Sequence, residues 1–145
     1  METEVEIKAS ADEFYQVFRN RPHHLPNICS DITSGKVSDG QWQTHGSTRH
    51  WDYQFGGKTE IFKEKISFDD ANRKVNHIGV AGDPLKRYKV FNGSWEAIPK
   101  AGGVGAIVKV VIEYQKLSKD IPSPDDYLEL LVGFTTDIDA HLSKA

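Results

Sequence analysis

The chain has 145 residues, 38% of them hydrophobic, which suits a single domain large enough to bury a core. Its 18 basic and 21 acidic residues leave a net charge of -3, so no positive field draws it to nucleic acid or anionic lipid. Cys29 stands alone, which excludes an intramolecular disulfide and the metal sites built from paired cysteines, and no apolar run approaches the roughly 18 residues of a membrane-spanning helix.

The opening METEVEIKAS alternates Thr3, Val5 and Ile7 with charges, the pattern of a half-buried strand. A secretory leader would instead be basic and then continuously apolar, so a cytoplasmic protein is expected. Ser10 with Glu13 three residues on forms a capping box for a helix whose stripe is Phe14, Val17 and Phe18. Pro22 and Pro26 allow at most a short second helical turn after it.

From Asp31 to Gln115 the apolar period is two. Strands are expected at about 31–37, 47–55, 60–69, 74–81, 88–99 and 106–115, separated by the turn signals SDGQ, GGK, DDANR, GDP and KAGGVG. Links this short join antiparallel neighbours, because parallel pairs need crossovers of a dozen or more residues. The stretch SPDDYLELLVGFTTDIDAHLSKA then returns to helical spacing, with Ser123 expected as cap, Pro124 at the first helical position, and a stripe of Tyr127, Leu131, Phe134, Ile138 and Leu142. The organisation is α+β: one strand, two short helices, six strands and one long helix, in a single domain over residues 1–145.

A helix only ~10–12 Å wide closes the mouth of a curved sheet more readily than it fills the interior. If the apolar parity of each strand marks the inner face, that face carries Trp51, Tyr53 and Phe55 with Arg49, then Phe62, Ile66 and Phe68 with Glu60 and Glu64. Val75 follows with His77, Gly79 and Ala81, although Ile78 and Val80 on the opposite parity are also apolar. Next come Phe91, Gly93, Trp95 and Ala97 with Lys89, and finally Val108, Val110, Ile112 and Tyr114. Apolar walls interrupted by two glycines and a few polar groups describe a small-molecule pocket. The alternative is a solid core in which Arg49 and Glu64 pair across a hairpin and the glycines relieve bulges or bends.

The segments EVEIKASADEFYQVF, PHHLPNICSDI, GQWQTHGSTRHWDY, FKEKISFDDANRKV, GDPLKRYKVF and EYQKLSKDIPSP, with DIDAHL near the end, together resemble the major latex protein family of plants. That family belongs to the birch-pollen-allergen-like superfamily, with the pathogenesis-related class ten proteins. The resemblance implies a helix-grip, START-like fold: a seven-stranded antiparallel sheet wrapped around the C-terminal helix, with a large internal hydrophobic cavity. It also implies a cytosolic carrier or receptor for a hydrophobic metabolite, hormone or sterol-like molecule, linked to defence or stress. Some relatives are enzymes of alkaloid or terpenoid metabolism. Carried over by position, the cavity wall comprises Trp51, Tyr53, Phe62, Glu64, His77, Phe91, Gly93, Trp95, Val110, Ile112 and Tyr114. The helix adds Tyr127, Leu131, Phe134 and Ile138. The glycine-rich loop of the allergen branch is reduced here to Gly40 and Gly46 in SDGQWQTHG, which weakens the case for phosphate or nucleotide binding there.

KAGGVGA lacks the lysine-serine end of a P-loop and precedes a strand, so it reads as a hairpin turn. Of the six histidines, His45, His50 and His141 have polar neighbours, and the adjacent His23 and His24 diverge in an extended chain. No metal and no cofactor are expected. His77 and Glu64 are the candidates for acid or base chemistry, with Tyr88 and Tyr114 as hydrogen-bonding candidates, Tyr88 on the outward parity. They are alternatively orienting groups for a bound ligand, or a satisfied buried network. Lys109 alternates outward, which argues against amine-condensing chemistry. The expected function is a carrier of a hydrophobic small molecule, as monomer or weak dimer; the alternative is an isomerase or cyclase working by proton transfer in the same cavity.

Overall fold

The computed structural model describes residues 1–143. Strand β1 (Glu2–Ile7) leads into helix α1 (Ala11–Asn20), a single-turn 3-10 segment (Pro22–His24) and the short α2 (Leu25–Ile28). Six strands follow: β2 (Ile32–Asp39), β3 (Thr48–Phe55), β4 (Lys58–Asp69), β5 (Lys74–Gly82), β6 (Tyr88–Pro99) and β7 (Ala106–Lys116). Helix α3 (Asp125–Leu142) closes the chain. The strands form one seven-stranded sheet in the order β1-β7-β6-β5-β4-β3-β2, and every neighbouring pair is antiparallel. This is the expected helix-grip arrangement, with all three helices on the inner face.

Local chemistry accounts for the element ends. The Ser10 hydroxyl accepts from the Glu13 amide while the Glu13 carboxylate accepts from the Ser10 amide, so α1 starts where the capping box places it. Helix α3 departs from expectation: Pro124 is its cap and no side chain bonds the first-turn amides, so Ser123 is not the cap. The Ser123 hydroxyl instead takes the Tyr114 hydroxyl at 3.3 Å. Asp125 and Asp126 place negative charge at the positive end of the helix dipole. Farther along α3, the Asp139 carboxylate accepts the backbone amides of Lys8 and Ala9, which ties its last turns to the β1–α1 junction.

Two β-bulges overturn the strict alternation assumed from sequence. In β6, Tyr88 pairs with Lys116 but Val90 pairs with Gln115, so Lys89 is an extra residue. Lys89 is therefore exposed rather than a member of the Phe91 set, and Tyr88 points inward at 1% exposure rather than outward. In β5, Gly79 pairs with Glu64 and Ala81 with Lys63, which makes Val80 the extra residue and turns Ala81 to solvent. Elsewhere the inner parity holds. Val75 is fully buried, whereas Ile78 and Val80 on the other face are 42% and 44% exposed.

Candidate functional site

Between α3 and the concave sheet lies a cavity of about 90 Å³. Trp51 and Tyr53 of β3 line it, with Phe62 and Glu64 of β4, His77 of β5, and Phe91, Gly93 and Trp95 of β6. Helix α3 contributes Tyr127, Leu130, Leu131, Phe134 and Ile138. Phe18, Leu25, Cys29, Ile32 and Pro84 complete the wall. Those five and Leu130 escaped the sequence reading. The stripe of α1 was an available signal for Phe18, but the rest come from short helices, a strand end and a turn whose placement is tertiary.

Three residues expected in the wall do not line the cavity. Val110 and Ile112 are fully buried on the inner face of β7, but α1 and α3 pack directly over that end of the sheet. Tyr114 is half-buried beside Tyr88, and its hydroxyl is turned to Ser123. Tyr88 also stays out of the wall, because its hydroxyl donates to the Pro122 carbonyl at 2.6 Å. The cavity is also smaller than the large one implied by the resemblance, since aromatic rings occupy the space. Phe18 and Trp95 lie 5.0 Å apart between centroids, and Phe62 and Phe91 lie 5.9 Å apart edge to face.

The two inward glycines differ. A Cβ at Gly93 would meet only Leu131 Cδ1, at 3.6 Å, so this glycine leaves room toward α3. A Cβ at Gly79 would lie 2.9 Å from the Phe62 ring and closer still to the Phe91 carbonyl oxygen. Gly79 is required by close approach at the β5 bulge and adds no volume to the cavity.

A polar row crosses the inner face. Arg49 and Glu64 are register partners on β3 and β4, and His77 sits diagonally from Glu64 on β5. Arg49 and Glu64 do face each other across the hairpin, as the solid-core alternative has them, but no direct hydrogen bond joins them among the described residues. Glu64 Oε2 takes His77 Nδ1 in a buried hydrogen bond, and one Arg49 amino group donates to the Trp42 carbonyl. Arg49 is fully buried, with its guanidinium carbon 5.3 Å from the Trp42 ring centroid. Burial pulls its pKa down to about 10, against an opposing pull from the Glu64 charge, so it is a cation at neutral pH.

A second network closes the β3–β4 end. The Tyr53 and Tyr127 hydroxyls both donate to Glu60 Oε1, at 3.0 and 2.7 Å, and Arg87 donates to the Tyr127 oxygen at 2.9 Å. Burial, reinforced by the Glu60 charge and hydrogen bonds, raises both phenols above the usual tyrosine range, so they remain donors. On β6, the Trp95 indole N–H donates to buried Thr135 at 2.9 Å. Cys29 lines the wall with its thiol pushed up to about 12, first by burial and then by Asp137 and Asp31. Away from the cavity, the His23 and His24 rings lie 4.2 Å apart in one 3-10 turn, contrary to the divergence expected of an extended chain. Among the described residues no three potential metal ligands converge there or elsewhere. No helix of the described residues is long and apolar enough to cross a membrane.

Known proteins with this architecture agree with the reading of the sheet and helix. The chain is 37% identical over 142 residues to major latex protein 146 of Papaver somniferum, covering 96% of this chain and 87% of that one. It is 35% identical over 144 residues to MLP-like protein 28 of Arabidopsis thaliana, a match that covers 98% of this chain but only 43% of the longer protein. The crystal structure of ginseng major latex-like protein 151 from Panax ginseng superposes with a TM-score of 0.92 at 30% identity, covering 99% of this chain and 97% of that one. The family model described as Pathogenesis-related protein Bet v 1 family matches residues 1–145, and the chain belongs to that family, whose fold binds ligands.

Proposed function

We propose that this chain is a carrier or sensor that holds a hydrophobic small molecule between α3 and the sheet. The observation supporting this is the cavity itself, set between α3 and the sheet and walled mainly by aromatic and aliphatic side chains. An apolar enclosure with a few polar groups is the usual form of a small-molecule site. Its volume of about 90 Å³ is below the ~300–1,000 Å³ of drug-sized sites, so loading displaces Leu130, Leu131 and Phe134, the half-buried residues that α3 contributes to the wall. The occupant is of the hormone, sterol-like or specialised-metabolite kind, and a sterol-sized one demands the larger displacement. The reading places the protein in the cytoplasm, in defence or stress, as one ligand-binding domain over residues 1–145 that is monomeric or weakly dimeric. Native mass spectrometry of protein purified gently from its source tissue tests it, by revealing a copurifying small molecule. Gly93→Phe, which fills the cavity, is expected to abolish that adduct without unfolding the domain, and an undiminished adduct refutes the site.

The buried Glu64–His77 pair favours a second reading, in which an alkaloid or terpenoid substrate undergoes isomerisation or cyclisation by proton transfer. His77→Ala and Glu64→Gln then lower product formation in the protein that turns substrate over. Turnover at the uncatalysed rate in the unaltered protein removes this reading and leaves the carrier.

A further inference from the structure

His77 is buried, with its Nδ1 engaged by Glu64 and its ring edge-on to Trp95 at 5.0 Å between centroids. Its Nε2 is buried and has no hydrogen-bond partner among the described residues. Such an atom carries a desolvation cost that a partner would relieve. Its cross-strand register partner on β6 is Gly93, and both residues line the cavity. The missing side chain at Gly93 therefore leaves space beside the imidazole rather than elsewhere in the wall.

Tautomer logic fixes what can fill that role. A carboxylate only accepts, so the Glu64 contact places the proton of a neutral imidazole on Nδ1 and leaves a lone pair on Nε2. Glu64 adds acceptor capacity of its own, because its hydrogen bond to His77 uses Oε2 alone. The donors that line the wall are already committed, Tyr53 and Tyr127 to Glu60 and Trp95 to Thr135, while Arg49, whose buried Nε and Nη1 also lack partners, is the register partner of Glu64 and lies outside the wall. The polar corner of the cavity thus offers acceptors, and Glu64 is the carboxylate that lines it, which disfavours an anion there. Resting on the binding function proposed above, we propose that the ligand is an uncharged apolar molecule bearing a phenol or alcohol, whose hydroxyl donates to His77 Nε2 over Gly93.

The test compares 2-naphthol with 2-methylnaphthalene, of nearly the same shape but without the donor, and with 2-naphthoate, by fluorescence titration and by ¹⁵N NMR of the histidine rings. The naphthol is expected to bind at least about tenfold tighter than the methyl compound, as sites built around a hydroxyl reject analogues that lack it. His77→Phe should erase that preference. Because this variant strips Glu64 of its donor and can unfold the domain, the unaltered protein supplies the deciding readout. There, the His77 Nε2 resonance should shift with naphthol and stay in place with methylnaphthalene. Equal binding of the two compounds, or tighter binding of the naphthoate, overturns the hydroxyl anchor while leaving the cavity as a binding site. Failure of all three to bind overturns both.

Discussion

The two inward glycines provide a sharp quantitative test, because alanine at each has an opposite expected effect. At Gly93 the added methyl makes one ordinary contact, with Leu131 Cδ1 at 3.6 Å, and the backbone is not in the left-handed region. Gly93→Ala therefore removes unfolded-state freedom without strain and should stabilise the domain by roughly 0.4–1 kcal/mol. At Gly79 the methyl meets the Phe91 carbonyl oxygen, which is backbone, and the Phe62 ring at 2.9 Å. Overpacking of this kind costs about 1–3 kcal/mol, and the bulge that sets the position cannot relax without breaking the β4–β5 register. The two variants should differ by roughly 3 kcal/mol, read from urea midpoints at constant m-value. In thermal melts the gap is about 6–12 °C, at roughly 2–4 °C per kcal/mol for a chain of this size. Shifts of the same sign and size would refute the claim that one glycine opens space and the other fills none.

Other outcomes follow from single contacts. Thr135→Val should destabilise by about 1–3 kcal/mol, since it leaves the buried Trp95 N–H without its acceptor, whereas Thr135→Ser should be nearly neutral in the same denaturation assay. Cys29, with its raised thiol pKa and no exposure, should resist a disulfide reagent at pH 8 in the native protein and react at the free-thiol rate in urea; fast native labelling refutes the buried placement. Asp83 is held below the usual carboxylate range, chiefly by the Ile61 amide at 2.7 Å and then by Lys86. A depressed folded pKa contributes stability that is full above the unfolded value near ~3.9 and lost as pH falls through the folded one. Asp83→Asn should therefore make the loss of stability below about pH 4 shallower; parallel profiles for the two proteins refute the assignment.

The strands were legible because an antiparallel sheet with one wet face writes its burial into alternation, as Phe91, Gly93 and Trp95 do on β6. Tyr88 and Ala81 were misplaced because a bulge inverts that parity, and nothing in the run RYKVF marks Lys89 as the extra residue. The Glu64–His77 pair was half legible. Both residues fell on the inner face, but their contact is a diagonal one, with Glu64 opposite Gly79 and His77 opposite Ile66, and it depends on a hairpin register and on rotamers that alternation does not fix. The exclusion of Val110 and Ile112 from the wall could not be read, because it depends on where α1 and α3 lie across the sheet.

The cavity also sets how the protein responds to compression. Unfolding eliminates internal void, so a space of about 90 Å³ contributes on the order of 50 mL/mol to a negative volume change of unfolding. Hydrostatic pressure therefore favours the unfolded chain more strongly when the cavity is empty than when a molecule fills it. The pressure midpoint becomes a gauge of occupancy that works before the chemical identity of the occupant is known.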